Sequence, residues 1–190
     1  MTNNEKNILW LDLFSSLGYA KKKKLLDCTE NGADIKQSFL CNPKYKEMLT
    51  AEEYNKMAQC LDETKFLNLI ESFASEGIEF VTIYDNRYPK QLLEIDTPPL
   101  CLYCKGNLQL LSSSCVSIVG SRKPTDYGVV TTKEYAKELS IAGITIVSGM
   151  AVGVDSLAHR TVLENDGATI AVLGGGLHNI YPATYIALYR

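Results

Sequence analysis

Apolar positions recur along this chain with two different periods, and the change of period divides it. The stretch from Asn7 to Leu17 carries apolar residues at 8, 9, 11, 13, 14 and 17, with Trp10 among them, a helical stripe that Gly18 can stop. Tyr19–Cys28 predicts a second short helix. After Pro43, Thr50-Ala51-Glu52-Glu53 is a capping box, in which the Thr50 hydroxyl and the Glu53 side chain satisfy two orphan amides at a helix start. Asp62–Glu76 follows as an amphipathic helix with Phe66, Ile70 and Phe73 on one side and Gly77 at its end. Residues 1–76 are therefore expected to form a small all-helical domain, and 77–190 a second domain of another kind.

In that second part the pattern turns to short, β-branched runs. Ile78–Tyr84 and Leu100–Tyr103 read as strands, separated by an Asp85-Asn86 turn and an extended Thr97-Pro98-Pro99 stretch. They are expected to extend the edge of the sheet that follows. Cys115–Val119, Ile144–Val147 and Thr169–Leu173 predict three more strands, of the kind covered on both faces. Between them lie helix-length segments, Tyr127–Ala142 closed by Gly143 and Asp155–Asn165 closed by Gly167. The order β-α-β-α-β predicts an α/β fold built on a parallel sheet. All three strands then end at one carboxyl edge, where open α/β sheets bind ligands.

Three glycine-bearing turns stand at that edge. In Gly120-Ser121-Arg122-Lys123-Pro124 the glycine permits a sharp turn and free amides can converge on an anion. Arg122 adds a planar fork matched to phosphate oxygens, Lys123 a second cation, and the following helix its positive end. The bland alternative is a βα turn with two solvated cations. Ser148-Gly149-Met150-Ala151-Val152-Gly153 offers a hydroxyl and amides without a cation. Gly174-Gly175-Gly176 offers bare backbone, or is only a flexible turn. Together the turns predict a shallow, glycine-walled crevice suited to a phosphate-bearing chain or a nucleotide. A dinucleotide fingerprint is excluded, because GSRKPT lacks the second and third glycines and Ser148 stands where a ribose-binding acid would be. A phosphate-binding Gly-Lys-Ser/Thr loop is absent too.

Other chemistry is sparse. Asp155 and His159 lie four apart on one helix face and read as a structural pair or a cap rather than an acid–base couple. Cys101 and Cys104 form one CxxC without a second pair or a nearby histidine, so buried thiols are expected, not zinc. His178 is one of only two histidines, which leaves a metal site little to draw on. Tyr181 either shapes the crevice or packs on the sheet.

Composition adds limits. The chain has 190 residues, 46% of them apolar, and a formal charge of −3. Nucleic-acid binding would therefore need a local patch, and Lys21–Lys24 reads as a solvated helix face. No segment approaches the roughly 18 uncharged apolar residues of a membrane helix, and no secretory leader is visible. Six irregularly spaced cysteines fit reduced thiols and a cytoplasmic protein.

Several motifs in order resemble the DprA/Smf family of DNA-processing proteins. Ser117-Ile118-Val119-Gly120-Ser121-Arg122 followed by Tyr127-Gly128 resembles its VGSR…YG segment. Ile146–Asp155 with Ala158-His159 resembles SGLAxGID…AH, and Thr169–Leu177 with Tyr181-Pro182 resembles TIAVLGxGLDxxYP. Upstream, Tyr88-Pro89, Pro98-Pro99-Leu100 and Lys105-Gly106 resemble the family's lead-in. The resemblance is specific over 78–182 and looser in the helical part.

This resemblance implies an extended Rossmann domain, preceded by a SAM-like or helix-hairpin-helix-like start. It implies single-stranded DNA binding, protection of incoming DNA in natural transformation, loading of a RecA-type recombinase, and neither catalysis nor a cofactor. Arg122 would contact phosphate, with Gly120, Ser121, Ser148, Gly149 and Gly174–Gly176 lining the crevice; Lys123 and Gly153 belong to the same turns. The chain departs from the family at Val152, Ala183 and Tyr185, where a cation, a basic residue and an asparagine are usual. It also ends at Arg190, where the family continues with strands that complete the sheet and carry a homodimer contact. The expected sheet is thus partial: a truncated product, a gene fragment, or a chain that needs a partner. The alternative class is a phosphoribohydrolase-like nucleotide enzyme, which would need a PGGxGT turn followed by a glutamate; LGGGLHN lacks both.

Overall fold

A computed structural model describes residues 1–29, 33–60 and 62–177. The chain divides into two compact units, Met1–Gly106 and a second beginning at Asn107.

The first unit opens with six helices: α1 (Asn3–Asp12), α2 (Tyr19–Asp27), α3 (Ile35–Ser38), α4 (Pro43–Met48), α5 (Ala51–Gln59) and α6 (Glu63–Glu76). Local signals explain their starts. Thr2 with Glu5 and Thr50 with Glu53 form full capping boxes on α1 and α5. Asp34, Asn42 and Asp62 cap α3, α4 and α6 through their side chains. Gly77 ends α6 at φ 66°, and the Ile78 amide reaches back to the Phe73 carbonyl. The core gathers Ile8, Leu9, Trp10, Leu25, Phe39, Tyr45 and Met57, with Trp10 edge-on to Phe14 and Phe39. The Lys21–Lys24 run is not simply a solvated face. Lys21 pairs with Glu53 at 2.6 Å, Lys22 with Asp12 at 3.0 Å, and Lys23 with Asp27 and the Tyr84 hydroxyl.

Two strands complete this unit, β1 (Glu79–Thr82) and β2 (Cys101–Cys104), paired antiparallel as a separate two-stranded sheet. They do not extend the parallel sheet, and the first unit runs to Gly106 rather than to residue 76. The reason is aromatic packing: Phe80 stacks on Phe73 of α6, and Tyr103 meets both rings. Phe80, Leu100 and Cys101 lie in the helical core, so burying that surface favours the helices over the sheet edge. Cys101 and Cys104 sit three apart on β2 and so face opposite sides of it. Burial pushes both thiols up.

The second unit contains β3 (Cys115–Ser117), α7 (Asp126–Ile141), β4 (Thr145–Ser148), α8 (Val154–Leu163) and β5 (Thr169–Ala171). The strands pair in parallel in the order β3-β4-β5, with Val116 opposite Ile146 and Val147 opposite Ile170. This is the expected α/β, Rossmann-like arrangement. Ile146 shares one cluster with Ala136 of α7 and with Ala158 and Val162 of α8, so both helices cover one face of the sheet. Expected burial on both faces holds only for the central strand. All of β3 is exposed, Val116 to 40%, because it is an edge strand with helices on one side.

Two helix ends show how small residues set this geometry. After α7, Gly143 has φ 76°, and the Ile144 amide returns to the Leu139 carbonyl. After α8 the left-handed residue is Asp166, at φ 55°, and not the glycine. Gly167 serves close packing instead. A Cβ there would overlap the Ser140 hydroxyl, so its absence lets the two helices approach.

Candidate functional site

Because β3, β4 and β5 are parallel, the three glycine turns do end at one edge. Hydrogen bonds tie them to each other. The Val154 amide, first in α8, donates to the Ser121 carbonyl at 3.1 Å. The Val172 amide donates to the Ser148 carbonyl at 2.8 Å. Gly153 adopts φ 93°, ψ −127°, and a Cβ on it would strike the Ser121 carbonyl and lie 2.7 Å from the Arg122 carbonyl carbon. A Cβ on Gly120 would meet the Val154 methyl at 2.9 Å. Both glycines are therefore needed to hold the first turn against the start of α8.

The amides divide into used and unused. Gly149 donates to the Asp155 carboxylate at 3.1 Å, and Lys123 to the Ser121 hydroxyl at 3.0 Å. Gly149 is thus not a bare amide, because the helix that follows answers it from within. The amides of Gly120, Ser121 and Arg122 have no hydrogen-bond partner among the described residues, which leaves three consecutive donors free for an anion. Ser121, Arg122 and Lys123 are all exposed, and neither cation forms an ion pair among the described residues. Helix α7 starts just beyond, capped by the Thr125 hydroxyl on the Gly128 amide at 3.2 Å, with Asp126 in its first turn.

Ser148 departs from expectation. It is 2% exposed and its hydroxyl donates to the Ile118 carbonyl at 2.6 Å. It fastens β4 to the end of β3 and is not available to a ligand. Met150, beside it, is 2% exposed at φ 61°, a left-handed conformation that sequence pattern does not announce in a non-glycine residue. Gly174, Gly175 and Gly176 are exposed; Gly176 has φ 77°, and a Cβ on Gly174 would meet nothing within 4 Å. The expectations on His178, Tyr181, Ala183 and Tyr185 lie outside the described residues.

Asp155 and His159 are both buried, and instead of pairing with each other, as their spacing suggested, each bonds to a different structural partner. Asp155 holds Gly149. His159 Nδ1 lies 2.6 Å from the Thr169 hydroxyl, which itself donates to the Ile146 carbonyl at 2.8 Å. Thr169 has one proton, so His159 must be the donor, leaving Nε2 bare and without a partner among the described residues. Burial pushes this imidazole below its ordinary value. Among the described residues no three His, Cys, Asp or Glu side chains gather to hold a metal ion. No described helix is long and apolar enough to cross a membrane.

Comparison with known proteins adds an independent line. The DNA processing protein DprA of Bacillus subtilis is 36% identical over 125 residues, 65% of this chain and 42% of that protein. The X-ray structure of DNA processing protein A from Streptococcus pneumoniae matches with a TM-score of 0.64 and 28% identity, over 99% of this chain and 63% of that one. The DNA processing protein A of Helicobacter pylori, solved for its single-stranded DNA binding mode, matches with a TM-score of 0.51 and 35% identity, over 58% of this chain and 50% of that one. The chain thus spans less than two thirds of the length of these relatives. A family profile described as DNA recombination-mediator protein A matches residues 79–190, and the chain belongs to that family.

Proposed function

We propose that the carboxyl edge of the parallel sheet binds the sugar-phosphate backbone of single-stranded DNA, without a catalytic step and without a cofactor. The observation that carries this reading is the first turn. Arg122 and Lys123 are exposed without a carboxylate partner among the described residues, beside three free amides. Gly120, Ser121, Arg122 and Lys123 make the phosphate contacts. Gly153 sets the turn in position, Gly149 holds the second turn through Asp155, and Gly174–Gly176 present backbone alongside. Kinship with the Helicobacter pylori protein supports the choice of ligand. In the cell, this binding protects incoming DNA during natural transformation and delivers it to a RecA-type recombinase, in the cytoplasm and as a homodimer.

Backbone contacts carry little base preference. The test is fluorescence anisotropy at low salt with three single-stranded oligonucleotides of unrelated sequence. All three bind with similar affinity, and Arg122→Ala weakens each by a similar factor. Absence of binding to any of them refutes the reading.

A further inference from the structure

One surface feature is left unused by the turn chemistry. Tyr127, in the first turn of α7, is 79% exposed, more than any other described large hydrophobic side chain. Val119, at 70%, lies on the strand side of the turn and Val130, at 63%, one helical turn beyond Tyr127. The Tyr127 side chain makes no ring contact and no hydrogen bond among the described residues, nor does that of Tyr135 farther along α7, whereas those of Tyr45, Tyr54, Tyr84, Tyr88 and Tyr103 all do. Between Val119 and Tyr127 stand Arg122 and Lys123. An exposed apolar ring four and five residues along the chain from two unpaired cations suits a ligand with a flat apolar part and an anionic one.

We propose that Tyr127 is a stacking platform for an unpaired base of single-stranded DNA whose phosphates lie on Arg122 and Lys123. This rests on the reading above and deepens it, by giving the site a grip on the base plane as well as on the backbone. Every base has a π-face, so the contact favours unpaired over paired DNA without selecting sequence. The cations argue for this occupant: two exposed cations without a carboxylate partner among the described residues match the phosphates of a nucleotide strand, whose every repeat carries an anion and a flat base.

The test measures oligonucleotide binding by the 190-residue chain and its variants. Tyr127→Ala weakens binding roughly 5- to 150-fold, and Tyr127→Phe, which keeps the ring, restores it. The dependence of binding on salt stays as in the unaltered chain, because every phosphate remains neutralised as before. With an oligonucleotide made of abasic sites, the alanine variant and the unaltered chain bind alike. If the unaltered chain binds DNA and Tyr127→Ala binds it equally well, the platform is wrong and the phosphate site stands. If the unaltered chain binds no DNA, both readings fall. Loss of self-association on sedimentation, with DNA affinity unchanged, would assign the ring to a second copy of the chain and overturn the proposal. Since the ring is exposed, the thermal melting of the alanine variant is unchanged.

Discussion

Ser148 and His159 show how a polar residue at a ligand edge can serve the scaffold instead. The buried Ser148 hydroxyl answers the Ile118 carbonyl just beyond the last paired residue of β3. Ser148→Ala leaves that carbonyl without its partner and costs about 1–3 kcal/mol, measured by denaturant unfolding. His159 offers a titration. Its value in the fold lies below the ordinary 6.5, because burial disfavours the charged ring. The unfolded chain therefore takes up the proton first as pH falls. The stability linked to this group is complete above about 6.5 and is lost as pH drops from there toward the depressed value. His159→Asn keeps a donor for Thr169 but cannot titrate, so melting temperatures of the variant lose that part of the pH dependence. At Ser148 and Asp155 the sequence could show only which groups were available. Which carbonyl or amide consumes them depends on contacts across the sheet, and no local pattern encodes those.

The turn between β4 and α8 carries more constraint than its composition suggests. Gly153 combines a backbone conformation open to glycine with a close approach to Ser121 and Arg122, while Met150 and Asp155 lock the loop before it. Gly153→Ala is expected to cost about 1–3 kcal/mol from the backbone conformation alone. It also pushes the first turn away from α8, so nucleic-acid affinity falls along with melting temperature. Strand and helix order in this half was legible, since β-branched runs and glycine stops fall at regular intervals. The α6, β1 and β2 neighbourhood was not. Ile78–Tyr84 has the same strand pattern whichever sheet it joins, and what decides is the Phe73, Phe80 and Tyr103 cluster. The end of α8 was half legible: a stop near Gly167 was visible, but Asp166 takes the left-handed role and Gly167 the close approach to Ser140.

The two units use different means of stability. The first has a large aromatic and aliphatic core around Trp10, Phe39 and Tyr45. The second has a small one of Ala136, Ile146, Ala158 and Val162, and leaves β3 and large side chains such as Val119 and Tyr127 in contact with solvent. The relatives that this chain matches are longer than it, and it covers 42% of the Bacillus subtilis protein and 63% of the Streptococcus pneumoniae one. The proposed phosphate site lies at one edge of the second unit's parallel sheet, and the signature it predicts is electrostatic. Binding of a mixed-sequence single-stranded oligonucleotide is to be followed against salt concentration, for the unaltered chain and for Arg122→Ala. The logarithm of affinity should fall linearly with the logarithm of salt, and the alanine variant should bind more weakly with a slope shallower by about 0.7 for each phosphate no longer neutralised. Equal slopes and equal affinities for the two proteins would contradict the phosphate site.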